Sequence, residues 1–186
     1  LQVGMRYSMS LDLVPEDSTP PGYVHVVKVR NGVEHPPSFW IQEREVTVAE
    51  YLEFLNAPET LAEIAAAPIP IRFPRDPGSA LQGGFWPRDE EGRFDPGRSS
   101  EDDGRDDWPI IGITWNDATA YAAWLTERAR ERGEPRTYRL PTATEVVSAA
   151  SGFRNGHYTW GTQFRPQWSN NCFAKSTPAP EPVLRY

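Results

Sequence analysis

Twice in this chain a threonine stands three residues ahead of a glutamate, where an extended stretch gives way to helical spacing: Thr47-Val48-Ala49-Glu50 and Thr142-Ala143-Thr144-Glu145. In such a capping box the hydroxyl takes an orphan amide of the first turn and the carboxylate reaches back to the amide of the cap. Both helix starts are thereby fixed. Between them, Ile110 to Thr114 is another extended apolar run, and Thr114 or Asn116 caps the helix that follows. The chain is constrained to extended leads that each feed a capped helix. With 19 prolines and 14 glycines in 186 residues, little long regular structure fits elsewhere.

The spacing fills in the elements. Val48, Tyr51, Leu52 and Leu55 fall on one helical face after Thr47, and Pro58 is expected to close that helix. A short helix is predicted over 59–67. The helix after Thr114 turns Ala118, Tyr121, Ala122 and Leu125 inward and ends at Gly133 and Pro135. The third capped helix carries Val146, Ala149 and Ala150. Tyr23 to Arg30 is β-branched and reads as one strand, with Asn31-Gly32 as its turn. Ser38 to Ile41 is extended again. Residues 1–14 alternate in part, followed by a Pro-rich break to Gly22. This first piece reads as the tail of an upstream β-rich domain, or as an edge strand plus linker. The start at Leu1 rather than Met predicts that the natural N-terminus lies upstream.

Charge excludes some functions. The net −7 offers no clustered Lys/Arg surface to neutralise phosphates, so a nucleic-acid partner is not expected. Residues 87–107 carry nine acids and four arginines, a net −5, and the remainder is nearly neutral. No apolar run of about 18 residues is present, so no membrane partner is expected. The one cysteine, Cys172, forms no internal disulfide, which fits a reducing, cytoplasmic setting.

Each chemically interesting group has a plain structural reading. Glu45, Asp117 and Glu145 stand near helix starts, where carboxylates bond backbone amides and offset the helix dipole. Trp40, Trp115, Trp124 and Trp160, beside helix starts, are expected to fill the core; Trp86, Trp108 and Trp168, in loops, are expected to be more exposed. His25, His35 and His157 share no metal-binding spacing. The stretch 68–107 reads as a long surface excursion anchored by Phe73, Phe85 and Trp86, and its acidic part as a solvated loop rather than a calcium site, because it lacks EF-hand spacing. Cys172 reads as a small buried apolar residue, since no cation but Lys175 stands near it in sequence.

Four blocks in order resemble the formylglycine-generating-enzyme, or sulfatase-modifying-factor, family. Glu45 to Phe54 is similar to E-V-T-x-x-x-Y-x-x-F, and Pro109 to Trp124 to P-V-x-x-V-S-W-x-D-A-x-x-Y-x-x-W. Arg139 to Glu145 is similar to the start of R-L-P-T-E-A-E-W-E, and Trp160-Gly161 to W-G. Together they cover about residues 39 to 172. The resemblance implies an α+β domain of the formylglycine-generating-enzyme type with a C-type-lectin-like fold. It would be loop-rich, with two main helices around a small antiparallel sheet, over residues 23–186 and without its C-terminal part. It also implies that members oxidise a substrate cysteine to formylglycine with oxygen, copper and a cysteine pair from a later stretch; soft thiolates suit Cu(I). Cys172 matches neither position of that pair. An Asn just beyond W-G contributes to a structural calcium site in the family, and Asn170-Asn171 stands there, which makes Asn171 the candidate metal ligand.

The chain departs from the pattern at Ala143-Thr144-Glu145-Val146-Val147, where the first Glu and the Trp are lost. Val27 to Gly32 replaces the usual P-A-G-x-F-x-M-G. Drift at site positions over a kept core suits a non-catalytic binding or scaffold module that presents loops to a protein or small ligand, within a larger signalling or ligand-display protein. The alternative is the N-terminal part of a copper-dependent oxidase whose cysteine pair lies beyond Tyr186. An open sheet edge would also invite a second chain to complete the fold, so the isolated stretch is expected to be marginal or to associate.

Overall fold

The computed structural model describes residues 10–11, 19–27, 29–30, 37–74, 86, 88–95, 105–151, 157–169, 173 and 181–183. The fold is α+β. Its strands are β1 (Ser10–Leu11), β2 (Tyr23–Val26), β3 (Val29–Arg30) and β4 (Phe39–Gln42). Its helices are α1 (Val48–Leu55), α2 (Pro58–Ala66), α3 (Trp115–Glu131) and α4 (Ala143–Ser151), with short 3-10 turns at Arg105–Asp107 and Pro166–Trp168. No helix among the described residues is long and apolar enough to cross a membrane.

Two compact units are distinguished. Unit 1 comprises Leu1–Arg44 with Pro141–Trp168, and unit 2 comprises Glu45–Leu140 with Ser169–Tyr186. In unit 1, β2 pairs antiparallel with β4, Tyr23 opposite Gln42 and Val26 opposite Phe39, while β1 pairs antiparallel with β3. The β-branched run from Tyr23 is therefore two strands rather than one, because its two ends pair with different partners. The Asn31-Gly32 turn lies outside the described residues.

Unit 2 is organised by the leads of α1 and α3. The Val48 N–H donates to the Trp108 carbonyl at 2.8 Å and the Ile110 N–H to the Val46 carbonyl at 2.9 Å, which joins the two leads in an antiparallel bridge at Thr47 and Pro109. Two helices thus start side by side. Tyr51 and Leu55 on α1 are fully buried and Val48 is buried, as the spacing predicts, whereas Leu52, expected on the same face, is only partly buried and Phe54 is buried beside them. Tyr121 of α3 closes on them, with ring centroids 5.5 Å from Tyr51 and 5.7 Å from Phe54, the latter edge to face. Ile64, Trp86 and Phe94 fill the remaining sides.

The helix ends follow their sequence signals with one correction. Pro58, expected to close α1, instead opens α2 at its first position, where a missing N–H costs nothing. α1 ends at Asn56. α3 closes as expected: Gly133, at φ 72°, lets the Glu134 N–H reach the Ala129 carbonyl and its own N–H reach that of Arg130.

Candidate functional site

Three carboxylates that could suggest chemistry are helix caps. At α1 the Glu50 carboxylate accepts the Thr47 N–H at 2.9 Å, and the Thr47 hydroxyl accepts the Glu50 N–H. Glu45, two residues ahead of this cap, is exposed. At α3 the cap is Thr114 rather than Asn116, and Asp117 Oδ2 accepts both the Thr114 N–H and its hydroxyl. At α4, Glu145 accepts the Thr142 N–H at 2.8 Å and Thr142 returns the bond. Asp117 is 2% exposed and Glu145 4%, so both are withdrawn from solvent and committed to backbone amides.

Asp117 has a second task, which sequence reasoning missed. Its Oδ1 accepts the main-chain N–H of Arg72 at 2.9 Å. Arg72 has φ 72°, the one non-glycine residue in the left-handed region among those described. Every polar group of Arg72 is held by a helix. Its carbonyl accepts the Tyr51 hydroxyl from α1 at 2.5 Å, its guanidinium forks onto Glu63 of α2 at 2.6 and 3.2 Å, and Nη1 donates to the Asn116 carbonyl of α3. The hydrogen bond to Glu63, followed by its charge and that of Asp117, raises the Arg72 pKa further above its ordinary value. No local sequence signal marks Arg72, since its partners come from helices up to 45 residues away.

Asn56 is the second residue that the sequence hid. Its side-chain amide clamps the backbone of Phe94, donating to the Phe94 carbonyl at 3.0 Å and accepting the Phe94 N–H at 2.7 Å. In the described part of the acidic stretch, 88–95, Asp89, Glu90, Glu91 and Asp95 are exposed, as expected of a solvated loop, and residues 88–94 form a turn. The Asp89 carboxylate accepts the Arg93 N–H, Gly92 turns at φ 78°, and the Arg88 guanidinium lies 4.5 Å over the Phe94 ring. Phe94 is buried and anchors this turn on the core.

The tryptophans reverse part of the expectation. Trp86, expected both as a packed anchor and as a more exposed loop residue, is 7% exposed and so an anchor, whereas Trp115, beside a helix start, is 71% exposed. Two positions along a helix are about 200° apart, so the inward turn of Asp117 sends Trp115 outward. Trp40 is also exposed, its ring tilted by 35° against that of His25 with centroids 5.0 Å apart. Trp124 packs on the core as expected, and its indole N–H donates to Glu59, which also pairs with Arg128. Bonding to its own backbone N–H, and then to Trp124 and Arg128, lowers the Glu59 pKa below its ordinary 4.5.

In unit 1 an aromatic turn occupies 158–168. Tyr158 and Trp160 stack in parallel at 5.3 Å, Trp168 meets Trp160 edge-on at 5.9 Å, and Arg165 lies over Trp168. The Trp160 indole N–H donates to the Gln163 carbonyl. His157 is exposed, and no group of three or more His, Cys, Asp or Glu side chains among the described residues is placed to hold a metal. Asn171, the sequence candidate for calcium, lies outside the described residues, as do Cys172, His35 and Phe85.

The model of the sulfatase-modifying factor enzyme 1-like domain matches residues 18–182. The chain belongs to this family. It is 31% identical over 172 residues to the formylglycine-generating enzyme of Streptomyces coelicolor, covering 86% of this chain and 48% of that protein. A formylglycine-generating enzyme of Thermomonospora curvata is 32% identical over 94 residues, 50% of this chain and 25% of that protein. An "inactive C-alpha-formylglycine-generating enzyme 2" of Bos taurus is 40% identical over 65 residues, 34% of this chain and 18% of that protein. The chain spans about half the length of the Streptomyces protein, and less of the other two.

The four blocks read from the sequence supply caps and packing contacts. Thr47 caps, Tyr51 and Phe54 fill the core, and Asp117 ties α3 to Arg72. Tyr121 and Trp124 pack on Phe54, and Trp160-Gly161 forms a turn in which Gly161 and Tyr158 exchange backbone hydrogen bonds.

Proposed function

We propose that this domain is a non-catalytic binding or scaffold module of the formylglycine-generating-enzyme-like superfamily, which presents loops to a protein or small-molecule ligand in the cytoplasm as part of a larger signalling or ligand-display protein. The observation that carries the reading is the use of its buried acids. Asp117 and Glu145 bond helix-start amides and, for Asp117, Arg72, which leaves neither in the arrangement of a general acid or base. One cysteine in 186 residues supplies one thiolate, so a copper site built on a thiolate pair does not fit these residues. Similarity to a relative named inactive agrees with this reading. Calcium bound through Asn171 would serve as a structural ion.

A second reading rests on the 31% identity to a formylglycine-generating enzyme over most of the chain. Under it, these residues scaffold a copper-dependent oxidase whose thiolate pair requires cysteine beyond Cys172. Incubation of the full-length polypeptide that contains this domain with a cysteine-containing peptide, Cu(I) and air, followed by mass spectrometry of the peptide, separates the two. An unchanged thiol supports the binding module, and an aldehyde product overturns it. Calcium titration of the melting temperature, repeated with Asn171→Ala, tests the structural ion.

A further inference from the structure

In the aromatic turn of unit 1, Phe164, Tyr158, Trp160 and Trp168 form one continuous row, each ring in contact with the next at centroid distances of 5.8, 5.3 and 5.9 Å. The two ends of the row are open, Phe164 being 50% and Trp168 49% exposed. Local bonds hold the row in place. Tyr158 and Gly161 exchange backbone hydrogen bonds, the Trp160 indole N–H donates to the Gln163 carbonyl at 2.9 Å, and the Trp168 N–H donates to the Arg165 carbonyl at 3.0 Å. Rings held in this way offer a partner a large contact area and lose little rotamer freedom when it covers them.

Charge indicates what such a partner carries. Residues 157–169 contain no Asp, Glu or Lys, and Arg165 is their one arginine. Its guanidinium lies 5.4 Å over the Trp168 ring and donates to Gln163 Oε1 at 3.1 Å, and it pairs with no carboxylate among the described residues. Arg128, Arg130, Arg132 and Arg136, by contrast, each pair with a glutamate. A positioned cation without a counter-charge, at the Trp168 end of an apolar row, complements a single carboxylate that stands beside an apolar side chain. A nucleic-acid strand would also stack on these rings, but one arginine in a chain of net −7 does not neutralise its phosphates. We propose that the aromatic turn docks a peptide segment of a partner protein, which sets one Asp or Glu against Arg165 and an adjacent apolar side chain against Trp168. Trp, Tyr and Arg are the residue types that dominate binding energy at protein interfaces. The proposal rests on the binding-module reading above and names its surface and the chemistry of its partner.

Panning a phage-displayed library of random peptides on the full-length polypeptide that contains this domain tests this. The selected peptides are expected to share one acid next to a bulky apolar residue. Affinity for a selected peptide, read by fluorescence anisotropy, is expected to fall at least about tenfold in Arg165→Gln and in Trp168→Ala. Arg165→Glu is expected to prefer the same peptide with lysine in place of its acid, a reversal that a purely structural role of Arg165 would not produce. Circular dichroism checks that each variant is folded, and because Arg165 is exposed, its two variants decide if Trp168→Ala is not. Failure to select any peptide, selection of peptides without an acid, binding that Arg165→Gln and Trp168→Ala both leave intact, or retention of neutral oligosaccharides on a glycan array in place of peptides would each overturn the proposal. An aldehyde product in the thiol assay would instead overturn the binding-module reading, so the two failures are distinguishable.

Discussion

The Asp117 carboxylate divides its two oxygens between two elements: Oδ2 closes the cap of α3 on Thr114, and Oδ1 accepts the main-chain N–H of Arg72 at 2.9 Å. One buried acid therefore sets both where a helix begins and how the Pro-flanked stretch before it runs. Removing it would orphan two backbone donors and leave the Arg72 guanidinium short of a counter-charge 3.6 Å away. Asp117→Ala is expected to destabilise the fold by about 3 kcal/mol, in the range for breaking a buried pair. Asp117→Asn, which keeps one acceptor, should cost about half of that. Denaturant midpoints measure both, and an Ala variant within experimental error of the parent would contradict the dual role.

Arg72 gives a sharper test because backbone and side chain act in opposite senses. Its left-handed φ of 72° costs an L residue about 1–2 kcal/mol that glycine does not incur. Arg72→Ala and Arg72→Gly lose the same bonds to Glu63 and Asn116. Without the left-handed backbone, glycine would be the worse of the two through its greater unfolded-state entropy. The expected order is parent, then Gly, then Ala, with Gly ahead of Ala by about 1 kcal/mol. Urea unfolding of the three proteins decides it, and Ala ahead of Gly would refute the conformation.

Asn56 holds the acidic turn by two hydrogen bonds to Phe94 alone. Asn56→Ala leaves the N–H and carbonyl of a buried residue without their partner and is expected to cost about 2 kcal/mol. Limited proteolysis should then cut within 88–95 faster than in the parent, while cleavage elsewhere stays unchanged. Asn56→Asp keeps the acceptor and loses the donor, so its effect should be intermediate.

Local devices were legible in the sequence because they act over three or four residues. Thr47, Thr142 and Gly133 do what their spacing implies, and the inward stripe of Tyr51 and Leu55 needs only helical periodicity. The family blocks were legible for the same reason, since each spans a single lead and its helix. Arg72, Asn56 and the outward turn of Trp115 were not. Their partners lie tens of residues away, and nothing in the Pro70-Ile71-Arg72-Phe73-Pro74 stretch announces a left-handed residue. Trp115 was placed by its neighbourhood, a helix start, when what mattered was its angle relative to Asp117.

The same distinction applies to Glu145, which looks like a site residue in isolation and behaves as a cap in context. Glutamine can replace glutamate in a capping box, because either side chain accepts the amide of the cap. Glu145→Gln is therefore expected to keep α4 helical and cost under about 1 kcal/mol, whereas Glu145→Ala should cost about 1–2 kcal/mol. Hydrogen exchange at the Thr142 amide, which donates to Glu145 at 2.8 Å, reports the cap directly. Rapid exchange in the Gln variant would show that a charge is required there and would reopen a chemical role for this acid.

Glu59 supplies the pH dependence. Its carboxyl sits below its ordinary 4.5 through its own backbone N–H, Trp124 and Arg128, so the folded state favours the ionised form. A depressed carboxylate stabilises the fold above the unfolded pKa and loses that contribution as pH falls through the folded value. The relevant window thus opens near 4.5 and extends below it. Because the side chain is about half exposed, solvent screening limits the effect to under about 1 kcal/mol. Glu59→Gln should be less stable than the parent at neutral pH and converge on it in acid. Trp124 fluorescence should shift over the same window in the parent and stay flat in the variant, since the indole N–H loses its ionised acceptor. A constant difference between the two proteins across the whole pH range would show that Glu59 acts by packing rather than by charge.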